Sequence, residues 1–153
     1  MALRLVRALS GPRRIELGYG VAVSYRAFGY ADLREAEATA HRLARETMPE
    51  RLAFAAALHD DEDLGPEHDE GRRGQFARHL VKLLLLRFGT GWEGVEVDDG
   101  RAAPMTEDTL DAFLSLFPGV ASVLHVRLLE PWAELEAEGN VSARSPHTAT
   151  AEA

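Results

Sequence analysis

The residues with the clearest capacity for chemistry are the acids and histidines of one short segment, HDDEDLGPEHDE at residues 59–70. Carboxylate oxygens bind calcium or magnesium, and imidazole nitrogens bind zinc. A calcium-binding loop, however, spaces its acids at alternate positions and follows them with a glycine and a distant glutamate, whereas the acids here are contiguous. We therefore interpret His59–Glu70 as a solvated loop, and we predict neither a metal site nor a cofactor.

No other set of polar residues has the spacing of a catalytic site. His41, His79 and His125 lack an acid or thiol partner at a diagnostic spacing, and the serines lack the GxSxG context of a nucleophile. The chain contains no cysteine, which excludes disulfides, thiolate metal sites and cysteine nucleophiles. We expect a protein that is not an enzyme. The alternative that remains open is a metal-dependent hydrolase that uses the acidic loop.

Charge and composition narrow the choice of partners. The 25 acidic and 17 basic residues give a net charge of −8, which argues against a general nucleic-acid binder because phosphates require a cationic face. The apolar N-terminus is interrupted by Arg4 and Arg7, so it lacks the clean apolar core of a signal peptide. The apolar run Leu83–Leu86 is far shorter than the roughly 20 residues of a membrane span. We expect a soluble, cytoplasmic protein without a nucleic-acid or membrane partner.

Periodic patterns predict the elements that must position any site. Apolar residues alternate from Ile15 to Tyr25, which indicates a half-buried strand over Ile15–Arg26 that pairs with Leu3–Leu9. The fold class is therefore α+β, an N-terminal β-hairpin packed on a mainly helical domain of about five helices. The predicted helices are Asp32–Thr47, Glu50–Leu58, Gln75–Phe88, Glu107–Phe117 and Gly119–Glu138.

Helix and turn signals set the expected boundaries. Asp98-Asp99-Gly100 is a turn signal, and Thr106 is a helix cap. Pro131 is expected to kink or divide the last helix, and Gly139 to end it. Residues 1–139 then form a single α+β domain, and residues 140–153, NVSARSPHTATAEA, form a flexible tail rich in Ser, Thr and Ala.

Four aromatic residues are candidates for contact with a protein partner. Large aromatic side chains anchor both protein cores and interface hot spots, so each has two interpretations. Trp92 lies among glycines in a segment expected near the surface, and Trp132 follows Pro131 on an amphipathic helix. The region from Phe113 to Trp132 and the apolar helix Gln75–Phe88 could each form a client-binding or a self-association surface. The partner-binding candidates are Trp92, Phe113, Phe117 and Trp132.

Three segments together resemble the tail assembly chaperones of long-tailed phages and gene transfer agents. The segment IELGYGVAVSYRAF, from Ile15, is similar to their opening strand. The segment WEGVEVDDGRAAPMTEDTLDAFL, from Trp92, is similar to their middle motif, which combines a Trp-Glu-Gly-Val, an acidic glycine turn, a proline, a threonine cap and an apolar helix. The segment LEAEGNVSARSPHTATAEA, from Leu135, is similar to their terminal helix and tail.

The resemblance implies a non-enzymatic role in virion assembly. Such chaperones bind the long, helical tape measure protein, keep it soluble and bring tail tube subunits to it. The implied partners are therefore the tape measure protein and tail tube subunits, and a homo-oligomer is left open. One alternative is a structural tail or head–tail connector subunit that stays in the virion. Another is a small cytosolic regulator unrelated to phage, if the resemblance is accidental.

Overall fold

The fold is α+β, as the sequence predicts, with an antiparallel sheet and helices around one core. The computed structural model describes residues 11–47, 66–117 and 119–143, with only the backbone described for 66–69 and 135–143. Strands β1, β2 and β3 form the sheet in that order, antiparallel throughout. The elements in chain order are β1 (Pro12–Gly18), β2 (Val21–Arg26), α1 (Tyr30–Glu46), α2 (Pro66–Phe88), β3 (Gly89–Glu93), α3 (Glu107–Leu116) and α4 (Val120–Ala143).

The single strand predicted over Ile15–Arg26 is wrong, because the chain reverses in its middle. Gly18, Tyr19 and Gly20 have φ values of 86°, 52° and 75°, a left-handed run that two glycines make accessible. β1 and β2 therefore pair with each other, and β2 pairs with β3 on its other side. The predicted partner strand Leu3–Leu9 lies outside the described residues. The alternating pattern continued across the turn only because Tyr19 is itself apolar.

Tyr19 consequently lies at the tip of the hairpin and not on the buried face. Its side chain is fully exposed, at 106% of the reference area. Gly94 packs directly against the turn. A Cβ at position 94 would collide with the carbonyl oxygen of Gly20, so only glycine allows this close approach. The guanidinium of Arg14 also reaches across β2 and donates to both carboxylate oxygens of Glu93, at 2.7 and 2.9 Å. The tip is thus held by β3 and by the residue that follows it.

We expect Tyr19→Asn to raise the free energy of unfolding by about 0.5–1 kcal/mol, because Asn tolerates the left-handed conformation better than Tyr. Chemical denaturation of the two proteins measures the difference. If Tyr19 lay in the core, as the alternation suggests, the same change would instead lower the free energy by more than about 2 kcal/mol.

The core is organised around one face of α2. Leu80, Val81, Leu84 and Leu85 are each at most 1% exposed, and Phe88 continues the same face one turn later. Helices α1, α3 and α4 and strands β2 and β3 all contact this helix. α1 contributes Leu33, Ala40 and Ala44, which recur at helical spacing. The apolar helix predicted over Gln75–Phe88 is therefore the central helix of the described fold, although Leu86 is 41% exposed.

Several predicted helix boundaries are corrected. α1 begins at Tyr30, and Asp32 lies in its first turn, where its carboxylate accepts from the Gly29 N–H at 3.0 Å. α2 begins at Pro66, so the end of the predicted acidic loop is helical. α4 is one helix that runs through Pro131 and past Gly139 to Ala143, and neither residue ends it. The predicted helix Glu50–Leu58, residues 59–65 and the tail beyond Ala143 lie outside the described residues.

A cluster of charges ties α3 to α2. Lys82, the only lysine in the chain, contacts Asp111 at 2.8 Å and Glu107 at 3.0 Å. Arg78 contacts Asp111 at 3.4 Å and donates to Ser115 Oγ at 2.8 Å. Burial would raise the pKa of Asp111, but the hydrogen bonds from Lys82 and Arg78 outweigh it and hold that pKa below its usual value. The cluster therefore stabilises the packing of α3 wherever Asp111 is ionised.

We expect Asp111→Asn to lower the free energy of unfolding by about 1 kcal/mol at pH 7, a modest value because the pair is partly solvated. A depressed carboxylate pKa stabilises the fold above the unfolded value of 3.8, and the contribution is lost as the pH falls through the folded pKa. The difference between the two proteins should therefore shrink below pH 3.8 in acid denaturation curves. The matched control is Glu46→Gln, which removes an exposed helical pair with Arg42.

Of the helices that the structure describes, none is by itself long and apolar enough to cross a membrane. The bent pair Glu107–Leu116 and Val120–Glu134, which meets at 113°, reaches the required length and apolar composition only when the two helices are taken together.

Candidate partner-binding site

The segment between β3 and α3 is a tight ribbon that ends in a capped helix. The Val97 N–H donates to the Arg101 carbonyl and the Ala103 N–H to the Val95 carbonyl, each at 2.9 Å. Gly100, with a φ of 78°, closes the turn, which confirms the turn predicted at Asp98-Asp99-Gly100. The predicted cap is also confirmed, because Thr106 accepts from the Thr109 N–H.

Trp92 anchors this ribbon to the core. Its indole Nε1 donates to the carbonyl of Ala103 at 2.6 Å, and its ring lies 5.3 Å from that of Phe113. Phe113 is only 5% exposed and belongs to the buried core. Phe113 is therefore largely covered by its own chain, and its contact with a partner stays a prediction. Trp92 is partly buried and has a structural role as the link between ribbon and helix.

Phe117 is the predicted candidate that faces outwards. Its side chain is 54% exposed, and that of Leu116 beside it is 73% exposed. The rings of Phe113 and Phe117 lie 5.5 Å apart, so the exposed ring rests on the buried one. Both exposed residues line an open depression of about 250 Å³ between the ribbon and α3, here named the α3 groove. Its apolar lining consists of Val95, Val97, Ala103, Ala112, Phe113, Leu116 and Phe117.

Trp132 belongs to a different surface. Its ring lies 6.4 Å from that of Phe28 and 5.9 Å from that of Tyr30, in an aromatic cluster between α4 and the start of α1. Trp132 is partly buried and packs against the main core. The four candidate residues are therefore not brought together: Trp92, Phe113 and Phe117 lie around the α3 groove, and Trp132 lies at the other cluster.

The exposed apolar residues that sequence reasoning missed are Leu116 and two valines of α4. Val123 and Val126 are 49% and 66% exposed, one turn apart, whereas Leu124 and Leu128 of the same helix are buried. From the sequence, none of these three residues was singled out as exposed. A stricter helical projection would have separated the buried pair from the exposed pair. Leu116 and Phe117, which are adjacent at the end of α3, form the exposed apolar end, the name used below for these two residues.

Among the described residues, no group of three or more His, Asp or Glu side chains could hold a metal ion. His41 stacks on Phe76 at 4.1 Å, and His125 meets the edge of the same ring at 6.0 Å. Burial lowers the pKa of both His79 and His125, which favours the neutral imidazole. Most of the acidic loop lies outside the described residues.

The comparisons with known proteins assign no family to this arrangement. No protein-family model matches the chain, and neither the curated proteins nor the solved structures include a match to it.

We expect Trp92→Phe to lower the free energy of unfolding by about 1–3 kcal/mol, because it leaves the buried Ala103 carbonyl without its donor. Thermal or chemical denaturation measures the loss. Phe117→Ala is the matched control, because Phe117 also contacts the ring of Phe113 but faces solvent. This variant should lower the free energy of unfolding by less than about 1 kcal/mol. An equal loss in the two variants would mean that Trp92 does not anchor the ribbon.

Proposed function

We propose that this protein is a tail assembly chaperone of the phage type, which binds the apolar helical segments of a tape measure protein before they assemble and promotes tail tube assembly. One observation carries the proposal. The exposed apolar end presents two adjacent large apolar side chains, 73% and 54% exposed, at the end of a helix whose other side enters the core with Leu110, Phe113 and Leu114. A contiguous exposed apolar surface next to a groove is typical of a site that another molecule covers.

The chemistry of such a client fits this surface. A tape measure protein exposes apolar helical stripes until it is packed inside a tail tube. An amphipathic helix buries its apolar residues in a groove when they recur at helical spacing. The α3 groove offers apolar contact with Leu116 and Phe117 exposed beside it, and the chain's net charge of −8 favours solubility while a client is bound.

Two of the three segments that carry the resemblance support the same proposal, because they pack against each other. Val23 of β2 pairs with Trp92 of β3, and Arg14 of β1 forms its double hydrogen bond with Glu93. The opening strand and the middle motif thus build one structural unit. That unit holds α3 with its apolar outer side exposed.

The test is co-expression with a long helical protein encoded beside this chain, followed by a solubility assay and affinity co-purification. The protein should keep that client in the soluble fraction and co-elute with it. Recovery of this chain from purified particles at a fixed copy number, with the client insoluble, would support the structural tail or head–tail connector subunit instead.

We expect Leu116→Asp/Phe117→Asp to reduce client recovery by at least about tenfold, because it places two charges at the centre of the apolar contact. The measurement is the amount of client that co-elutes with each variant. The control is Tyr30→Asp, which charges an aromatic residue of similar exposure, 56%, at the aromatic cluster around Trp132. If the control loses as much client as the double variant, the exposed apolar end is not the binding surface. Circular dichroism and thermal melting check that both variants fold.

A further inference from the structure

The α3 groove has an acidic rim that no cation of the described chain neutralises. Glu96 and Asp98 line the groove beside its apolar residues. Asp108 is exposed on α3 one helical turn before Ala112, which lines the groove, so helix geometry places its carboxylate towards the same side. Within residues 11–47, 66–117 and 119–143, no arginine or lysine forms an ion pair with any of these three carboxylates. Most other charged side chains on the described sheet and helices do form ion pairs.

The cations nearest in sequence are already engaged. Arg101, across the ribbon from Glu96 and Asp98, is held by Asp99, whose carboxylate accepts from its Nε at 2.6 Å. This hydrogen bond keeps the pKa of Asp99 below its usual value. Lys82, which faces α3 from α2, is held by Glu107 and Asp111. The acidic rim is therefore left with an uncompensated negative potential next to an apolar floor.

An occupant that neutralises this rim must combine two chemistries. Its apolar side chains would cover Leu116, Phe117 and the valines of the groove, and its cationic side chains would reach Glu96, Asp98 and Asp108. A lysine or arginine has both a long apolar stem and a charged head, so it can cross the apolar edge and meet a carboxylate. A segment with acidic flanks would bring like charges together and would be rejected.

We infer that the α3 groove selects apolar helical segments flanked by lysine or arginine. The inference rests on the proposed function and adds to it the chemical class of client segment that this site takes. Charge complementarity of this kind mainly sets selectivity and the rate of association, while the apolar floor supplies the contact area. A chaperone with such a groove would bind the segments of a long client that have basic flanks, and it would not bind apolar segments with acidic flanks at this groove.

The test uses two synthetic helical peptides with the same leucine and alanine face. One carries lysine and arginine on its flanks, and the other carries glutamate at the same positions. Fluorescence anisotropy with the full chain measures the dissociation constant of each peptide. We expect the basic peptide to bind at least about tenfold more tightly at low ionic strength, with the advantage shrinking as salt screens the charges.

The variant Glu96→Lys/Asp98→Lys should reverse the preference and bind the acidic peptide more tightly. The control Glu46→Lys/Glu134→Lys makes the same change in net charge at positions that do not line the groove, and it should keep the original order. A control that reverses the preference equally would overturn the inference, because the effect would then arise from net charge and not from the rim.

The remaining outcomes separate the inference from the proposed function. If the co-expressed client is held and both peptides bind equally, the groove does not select by charge, and the proposed function stands alone. If the client is held but neither peptide binds, the groove is not a site for such segments and the inference is again wrong. If the client is not held while the basic peptide still binds selectively, the inference survives and the chaperone role is wrong.

Discussion

The burial of one face of α2 is the interaction on which the rest of the structure depends. Leu80, Leu84 and Leu85 are almost fully removed from water, and this helix contacts each of the other helices and two of the three strands that the structure describes. Close packing of this kind leaves little freedom in how the surrounding elements are arranged. The position of α3, and with it the shape of the α3 groove, follows from this central helix.

α3 can expose one side to solvent because its other side is attached to the fold by several contacts. Leu110, Phe113 and Leu114 enter the core, Asp111 is tied to Lys82, and Thr106 caps the first turn. Trp92 joins the preceding ribbon to the same helix. A ten-residue helix held at so many points can present Leu116 and Phe117 to solvent without losing its place in the fold. That rigidity reduces the ordering cost of binding a client there.

Much of this architecture could be predicted from local signals in the sequence. The α+β class, the central helix, the turn ending at Gly100 and the cap at Thr106 each rest on residues within a few positions of one another. The division of the first predicted strand into β1 and β2 was harder to predict. Tyr19 continues the alternation of apolar and other residues through the turn, and the glycines on either side of it allow the chain to reverse there. Pro131 and Gly139 suggested breaks that the backbone of α4 does not make.

The site was harder to predict than the fold, because exposure depends on tertiary contacts. Phe113 and Phe117 lie one helical turn apart and have the same chemistry, yet one is buried and the other faces solvent. The α3 groove joins residues of the ribbon to residues of α3, and the hydrogen bonds within the ribbon and from Trp92 to Ala103, together with the contact of Trp92 with Phe113, hold them together. Period and propensity within one segment contain no information about that contact.

The most direct measurement places a photoreactive phenylalanine analogue at Phe117 and, in a separate protein, at Tyr30, and then irradiates each in complex with the co-expressed helical client. Our account predicts a strong cross-link to the client from position 117 and little or none from position 30. A client that co-purifies with the protein but cross-links from position 30 and not from position 117 would contradict it.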